Sequence, residues 1–151
     1  MNKLPSAKRV QILSMLCEGM SMRSVSRLTD VSINTVSKLL VDAGVCCAAF
    51  HDETVRGLKS KRVQADEIWA FVGAKNKNAT PEQKAAGWGD LWTWTAIDAD
   101  SKLLVSFLVG TRGPSNCYDF MKDIASRLAN PVQLTTDGLT TILNFIVDGK
   151  Q

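Results

Sequence analysis

Asp66 and Glu67 sit side by side in the run from Arg62 to Val72, where Val63, Ile68, Trp69, Phe71 and Val72 are strand formers. Carboxylates are depleted in strands and costly to bury without a partner. A pair of them in mid-strand therefore points to a metal ion, a cation or a proton transfer. Side chains alternate across a strand, so only one of the two belongs to any given site. The competing reading is an edge strand with both acids in water. A second acid of the same kind is Asp137, which with Gly138 follows the short strand-like run Val132 to Thr136. If that strand lies beside the first and parallel to it, Asp137 comes near Asp66. Ligands of open α/β sheets bind at the carboxyl ends of strands, where the strand order reverses. Two carboxylates there suit Mg²⁺, which takes one or two carboxylates plus water and substrate phosphate. Two such ions about 4 Å apart could activate a water or a 3′-hydroxyl and stabilise the leaving oxygen of a phosphodiester.

Other reactive side chains carry less. Asp98 and Asp100 read as turn residues. The four cysteines, Cys17, Cys46, Cys47 and Cys117, form no Cys-x-x-Cys pair, and His51 is the sole histidine. That is poor material for zinc. Cys17 falls on an apolar helical face and is expected to be buried.

The elements that would position the acids form two blocks. Residues 1–64 hold 10 Lys/Arg against 5 Asp/Glu, and residues 65–151 hold 8 against 10. A basic first part joined to an acidic second part suggests a nucleic-acid-binding module attached to something else. In the first part, Pro5 and Ser6 start a helix with Val10, Leu13, Leu16 and Cys17 at helical spacing. Ser21 caps a short second helix, Met22 to Leu28, with Val25 and Leu28 inward. Ser32 caps a third, with Ile33, Val36, Leu39 and Leu40 on one face and Gly44 as its end. This is the pattern of a helix-turn-helix over residues 1–45. The opposite face of the third helix offers Asn34, Thr35 and Lys38 to bases or phosphates, with Ser32 at its start, while Asp42 opposes close contact at its far end. Arg23 and Arg27 are placed to hold phosphates.

Residues 46–62 read as a basic linker with Arg56, Lys59, Lys61 and Arg62, either solvated or tracking phosphates. The acid-bearing strand follows. Then come a long loop with Lys75, Lys77 and Lys84, a strand from Leu91 to Ile97, and a strand from Leu103 to Val109 expected to be buried on both faces. A helix from Cys117 to Leu128, capped by Ser115 or Asn116, leads to the strand ending at Thr136. Trp92 and Trp94 share a face and are expected to pack under that helix, with base stacking as the lesser reading. The order β-β-β-α-β implies antiparallel hairpins and then a crossover to a parallel strand. No apolar run approaches the roughly 20 residues of a membrane helix, and no secretory signal is recognisable, so a cytoplasmic protein is expected.

In the stretches Met1 to Leu13, Asp30 to Gly44, Gln64 to Trp69, Trp92 to Lys102 and Gln133 to Gly138, the chain resembles transposases of the insertion-sequence-one family, part of the DDE, ribonuclease-H-like group. The resemblance implies an α/β fold: an N-terminal three-helix helix-turn-helix domain, then an incomplete ribonuclease-H-like mixed sheet over residues 63–151. It implies Asp66 and Asp137 as the catalytic, metal-binding acids, two Mg²⁺ ions, double-stranded DNA at the element's terminal inverted repeats as partner, and a homo-oligomer on DNA. It places the protein on the bacterial nucleoid, away from any membrane. The family's third acid is a glutamate well beyond the second aspartate, whereas residues 138–151 contain none and only Asp148 among acids. The expectation is a frame disruption or premature stop near residue 139 and an impaired enzyme. The alternatives are a DNA-binding regulator or dominant inhibitor of an intact transposase, and a transcription factor with a ligand-binding second domain. Zinc, which some relatives hold in a Cys-rich segment, is not expected.

Overall fold

The computed structural model describes residues 4–136. Over them the chain is mixed α/β, with five helices and a four-stranded mixed sheet. It divides between Thr54 and Val55 into two compact units.

The first unit is helical: α1 Ser6–Cys17, α2 Met22–Thr29 and α3 Ile33–Thr54. Its core is Ile12, Val25, Val31 and Val36, with Leu4, Met15, Leu16, Met20 and Leu39 packed around them. Local chemistry sets the boundaries. The Ser21 hydroxyl accepts from the Ser24 N–H at the start of α2, and Asp30, left-handed at φ 53°, ends it. The Ser32 hydroxyl accepts from the Thr35 N–H at the start of α3.

Several expected facings change. Ile12 is the buried centre of α1, which turns Val10 and Cys17 outward; at 100° per residue Cys17 lies about 140° from Ile12. On α2 the inward partner of Val25 is Thr29, whose hydroxyl donates to the Val25 carbonyl at 2.8 Å, while Leu28 is exposed. Gly44 does not end α3. The helix continues to Thr54 through Val45-Cys-Cys-Ala-Ala49, and the unit extends past residue 45 accordingly. By length and composition α3 is long and apolar enough to cross a membrane, its most apolar 18 residues having a mean hydropathy of 1.4. Scattered polar residues such as Asn34 and Lys38 hide this in a search for an unbroken apolar run. Val36 nevertheless packs into the first unit's core.

The second unit contains β1 Arg62–Val72, α4 Pro81–Ala85, β2 Gly89–Asp98, β3 Leu104–Gly110, α5 Pro114–Arg127 and β4 Gln133–Thr136. The sheet order is β3-β2-β1-β4. The first three strands pair antiparallel, and β4 returns parallel to β1 with Ala65 opposite Thr136. The expected crossover is therefore present. One sheet face packs on α5 through Val63, Ala65, Trp94, Ala96, Val105, Cys117, Phe120, Met121 and Ile124. The Trp94 and Phe120 rings lie 5.7 Å apart, and burying each contributes about 1.5–3 kcal/mol. On β3 Phe107 and Val109 are exposed, so that strand is covered on one face only. The helix begins at Pro114, whose fixed φ and missing N–H suit a first turn; Gly113 holds the cap position, and Ser115 and Asn116 lie inside the helix.

Residues 55–61 are not a solvated linker. Val55 and Ser60 are buried, the Leu58 N–H donates to the Arg127 carbonyl, and Leu58 accepts from the Ala129 N–H. Arg56 donates to the Ser126 hydroxyl, and Arg62 is paired with Asp100. Lys59 and Lys61 remain exposed.

Candidate functional site

β1 carries both acids and lies inside the sheet order, between β2 and β4. The strand does divide them as its pleat requires. Asp66 is exposed; its Oδ1 accepts from the Glu67 N–H at 2.8 Å, and its carbonyl accepts from the Thr95 hydroxyl at 3.3 Å. The Glu67 side chain is 1% exposed and meets the Arg112 guanidinium at 3.3 Å. The Arg112 guanidinium also lies 4.7 Å over the Trp92 ring. The sequence reading missed this ion pair, because its members are far apart in the chain, one on β1 and the other in the loop between β3 and α5. The expectation of a buried strand holds only for the first half of β1. Val63 and Ala65 are covered, whereas Ile68, Trp69, Phe71 and Val72 are exposed.

The parallel register runs from Arg62 opposite Gln133 to Ala65 opposite Thr136. The last described residue of β4 is thus level with the residue just before Asp66. Asp137 and Asp148 lie outside the described residues. Among the described residues, no three His, Cys, Asp or Glu side chains gather in a way that could hold a metal. Asp66 itself fits the oxygen chemistry of Mg²⁺: an exposed carboxylate with a second oxygen to offer, on the strand that β4 joins.

Asp98 is a structural acid. Its carboxylate accepts from the Ser60 hydroxyl, from the Ser101 N–H at 2.6 Å and hydroxyl at 2.8 Å, and from the Asp100 N–H at 3.1 Å. The Ser60 bond first, then those from Ser101, hold its carboxyl well below the usual carboxylate range. It closes the turn between β2 and β3, as its sequence position suggests. Asp123 belongs to a second polar cluster, accepting from Arg127 Nε at 2.6 Å and from the Ser106 hydroxyl. Burial opposes its ionisation, but these bonds outweigh it and keep the carboxyl below its ordinary value. The Cys117 thiol is pushed up by burial and by the Glu67 charge. Cys46 and Cys47 are exposed on α3.

In the first unit, Arg23, Arg27, Ser32, Asn34, Thr35 and Lys38 are all exposed. Ser32 and Thr35 share a hydroxyl–hydroxyl bond of 2.8 Å at the start of α3. Arg27 reaches the Ser24 hydroxyl at 3.3 Å. Lys38 is bridged to Asp42 at 3.1 Å, with both side chains more than half exposed, a weak constraint in water.

No protein-family model matches the chain, and no curated protein matches it.

Proposed function

We propose that this chain is a DNA-binding protein of the DDE transposase type, with residues 1–45 working as a helix-turn-helix and the sheet unit as a partial ribonuclease-H-like domain. The observation that carries the reading is the parallel pairing of β1 with β4, which brings the end of β4 level with Ala65, the residue just before Asp66 on β1. In the sequence Asp66 follows Ala65, and Asp137 follows Thr136. Mg²⁺ bound by Asp66 and Asp137 would supply a polarised nucleophile and a counter-charge for the leaving oxygen of a phosphodiester. Asp66 contributes a carboxylate, and its neighbour Glu67 stays out of that chemistry by facing the opposite side.

Duplex recognition falls to the start of α3. Asn34 and Thr35 meet base edges there, Lys38 meets a base or phosphate, and Arg23 and Arg27 hold the backbone. The favoured target is the terminal inverted repeat of an insertion element, bound by an oligomer in the cytoplasm on the nucleoid. Support comes from the exposure of all six residues on a unit with its own core. The same observation favours the second reading, a regulator that occupies element ends, since binding of that kind does not call on the acids.

A gel shift with terminal-repeat duplex against random duplex tests the binding. The expected result is a preference for the repeat that Asn34→Ala and Lys38→Ala abolish; equal binding to both duplexes would overturn the reading. Strand transfer in Mg²⁺ then separates enzyme from regulator. Asp66→Asn should eliminate any transfer while leaving the gel shift unchanged.

A further inference from the structure

The outer half of the β1–β2 hairpin has a surface that none of this chemistry uses. Past Glu67, β1 carries Trp69 and Phe71, 40% and 47% exposed, on one face. Their rings lie 5.7 Å apart at 37°. Trp69 is registered opposite Trp92, the ring that carries the Arg112 guanidinium. The Lys75 ammonium sits 4.8 Å over the Trp69 ring. The loop beyond is tied down rather than loose. Gly73, at φ +66°, is packed so closely beneath Trp88 that a Cβ there would lie 2.2 Å from the indole. The Thr80–Gln83 capping box fixes α4. Lys77 and Lys84 are exposed on the same loop.

Exposed aromatic rings in a row, with cations held on them, combine flat π faces and positive charge at one place. An unpaired nucleotide presents the complement: a flat base and an anionic phosphate. A duplex hides its base faces within the stack, so it cannot use the rings in this way. A second copy of the chain would bring lysine against lysine. We propose that this hairpin end, built from Trp69, Phe71 and Lys75, is a stacking platform for single-stranded nucleic acid. The proposal stands independently of the transposase reading.

All four tryptophans of the chain are Trp69, Trp88, Trp92 and Trp94, so intrinsic fluorescence reports the sheet unit and not residues 1–54. The test is to titrate the full chain with thymidine and uridine homo-oligonucleotides and follow quenching. Phe71→Ala and Lys75→Glu are made in parallel; both keep every tryptophan, and Lys75→Glu changes only an exposed side chain. The expected result is saturable quenching, weakened about tenfold by Phe71→Ala, the order of effect of removing one stacking ring. Lys75→Glu should weaken it by at least as much at low salt. Quenching by only one of the two oligomers shows which of the two strands, thymidine or uridine, the platform takes. Equal competition by a blunt duplex, or quenching unchanged by both substitutions, would overturn the platform. So would a wild-type dimer that Phe71→Ala dissociates, or a blue shift on anionic phosphatidylserine vesicles with no response to oligonucleotide. The terminal-repeat gel shift is expected to be indifferent to both variants, so either idea can fail alone.

Discussion

Glu67 and Asp66 are one residue apart and have opposite tasks. The Glu67 carboxylate is buried against Arg112, so Glu67→Ala strands a guanidinium that is only partly in water. It should cost about 1–3 kcal/mol of sheet-unit stability, read as a lower midpoint in urea followed by tryptophan fluorescence. Asp66→Asn, at an exposed position, should leave that midpoint within about 0.5 kcal/mol of wild type. Asp98 gives a pH dependence with a definite sign. Its folded carboxyl titrates below the ordinary aspartate value because of the Ser60 and Ser101 bonds. The stabilisation is therefore complete above the unfolded value of about 3.9 and is lost as pH falls through the folded one. Asp123 acts in the same direction. Urea midpoints measured from pH 6 down to pH 2 should drop below about pH 4, and Ser60→Ala should make the drop shallower by removing the largest contributor at Asp98.

At the scale of elements, two glycines should respond oppositely to alanine. Gly44 lies within α3, and an added Cβ there meets nothing within 4 Å. Gly44→Ala should stabilise the helical unit by about 0.5–1 kcal/mol, since glycine pays the larger backbone entropy; the far-UV circular dichroism melt is the check. Gly73→Ala should perturb the hairpin end, because the left-handed backbone and the Trp88 ring both oppose it. Elements were legible in the sequence where a local signal fixes them. Ser21 and Ser32 cap helices whose first turns are a few residues away, and the four strands with their crossover helix follow from strand patterns and one crossover, whereas the short α4 between β1 and β2 was read as loop. The reading failed where distant partners decide. Gly44 looks like a stop until the Ala- and Cys-rich residues after it are seen to continue the helix. Leu58 looks like linker until it bonds to Arg127 and Ala129. Phe107 and Val109 look buried because an apolar run does not say which face is covered. Of the candidate site, Asp66 and its separation from Glu67 were readable from strand periodicity. Arg112 was not, because its role depends on where the loop between β3 and α5 meets β1 in space.

Across the whole molecule, each unit has its own core, the condition for separate cooperative unfolding. Helical signal at 222 nm comes mostly from α1 to α3, and tryptophan fluorescence only from the sheet unit. The two melts should therefore not superimpose. Coincident curves with one midpoint would show that the units unfold as one. The joining of β1 to β4 has a kinetic consequence as well. The helices of the first unit close through contacts near in sequence, which form quickly, whereas Val63 and Ala65 must wait for partners at Leu134 and Thr136. Pairing over such a distance carries a loop-closure cost before any contact repays it. During synthesis the helices can therefore fold while one side of β1 stays without its neighbour until Thr136 has left the ribosome. In that interval a strand edge flanked by Trp69 and Phe71 is open to other chains, so slow translation between codons 72 and 136 should raise aggregation more than slow translation before codon 54.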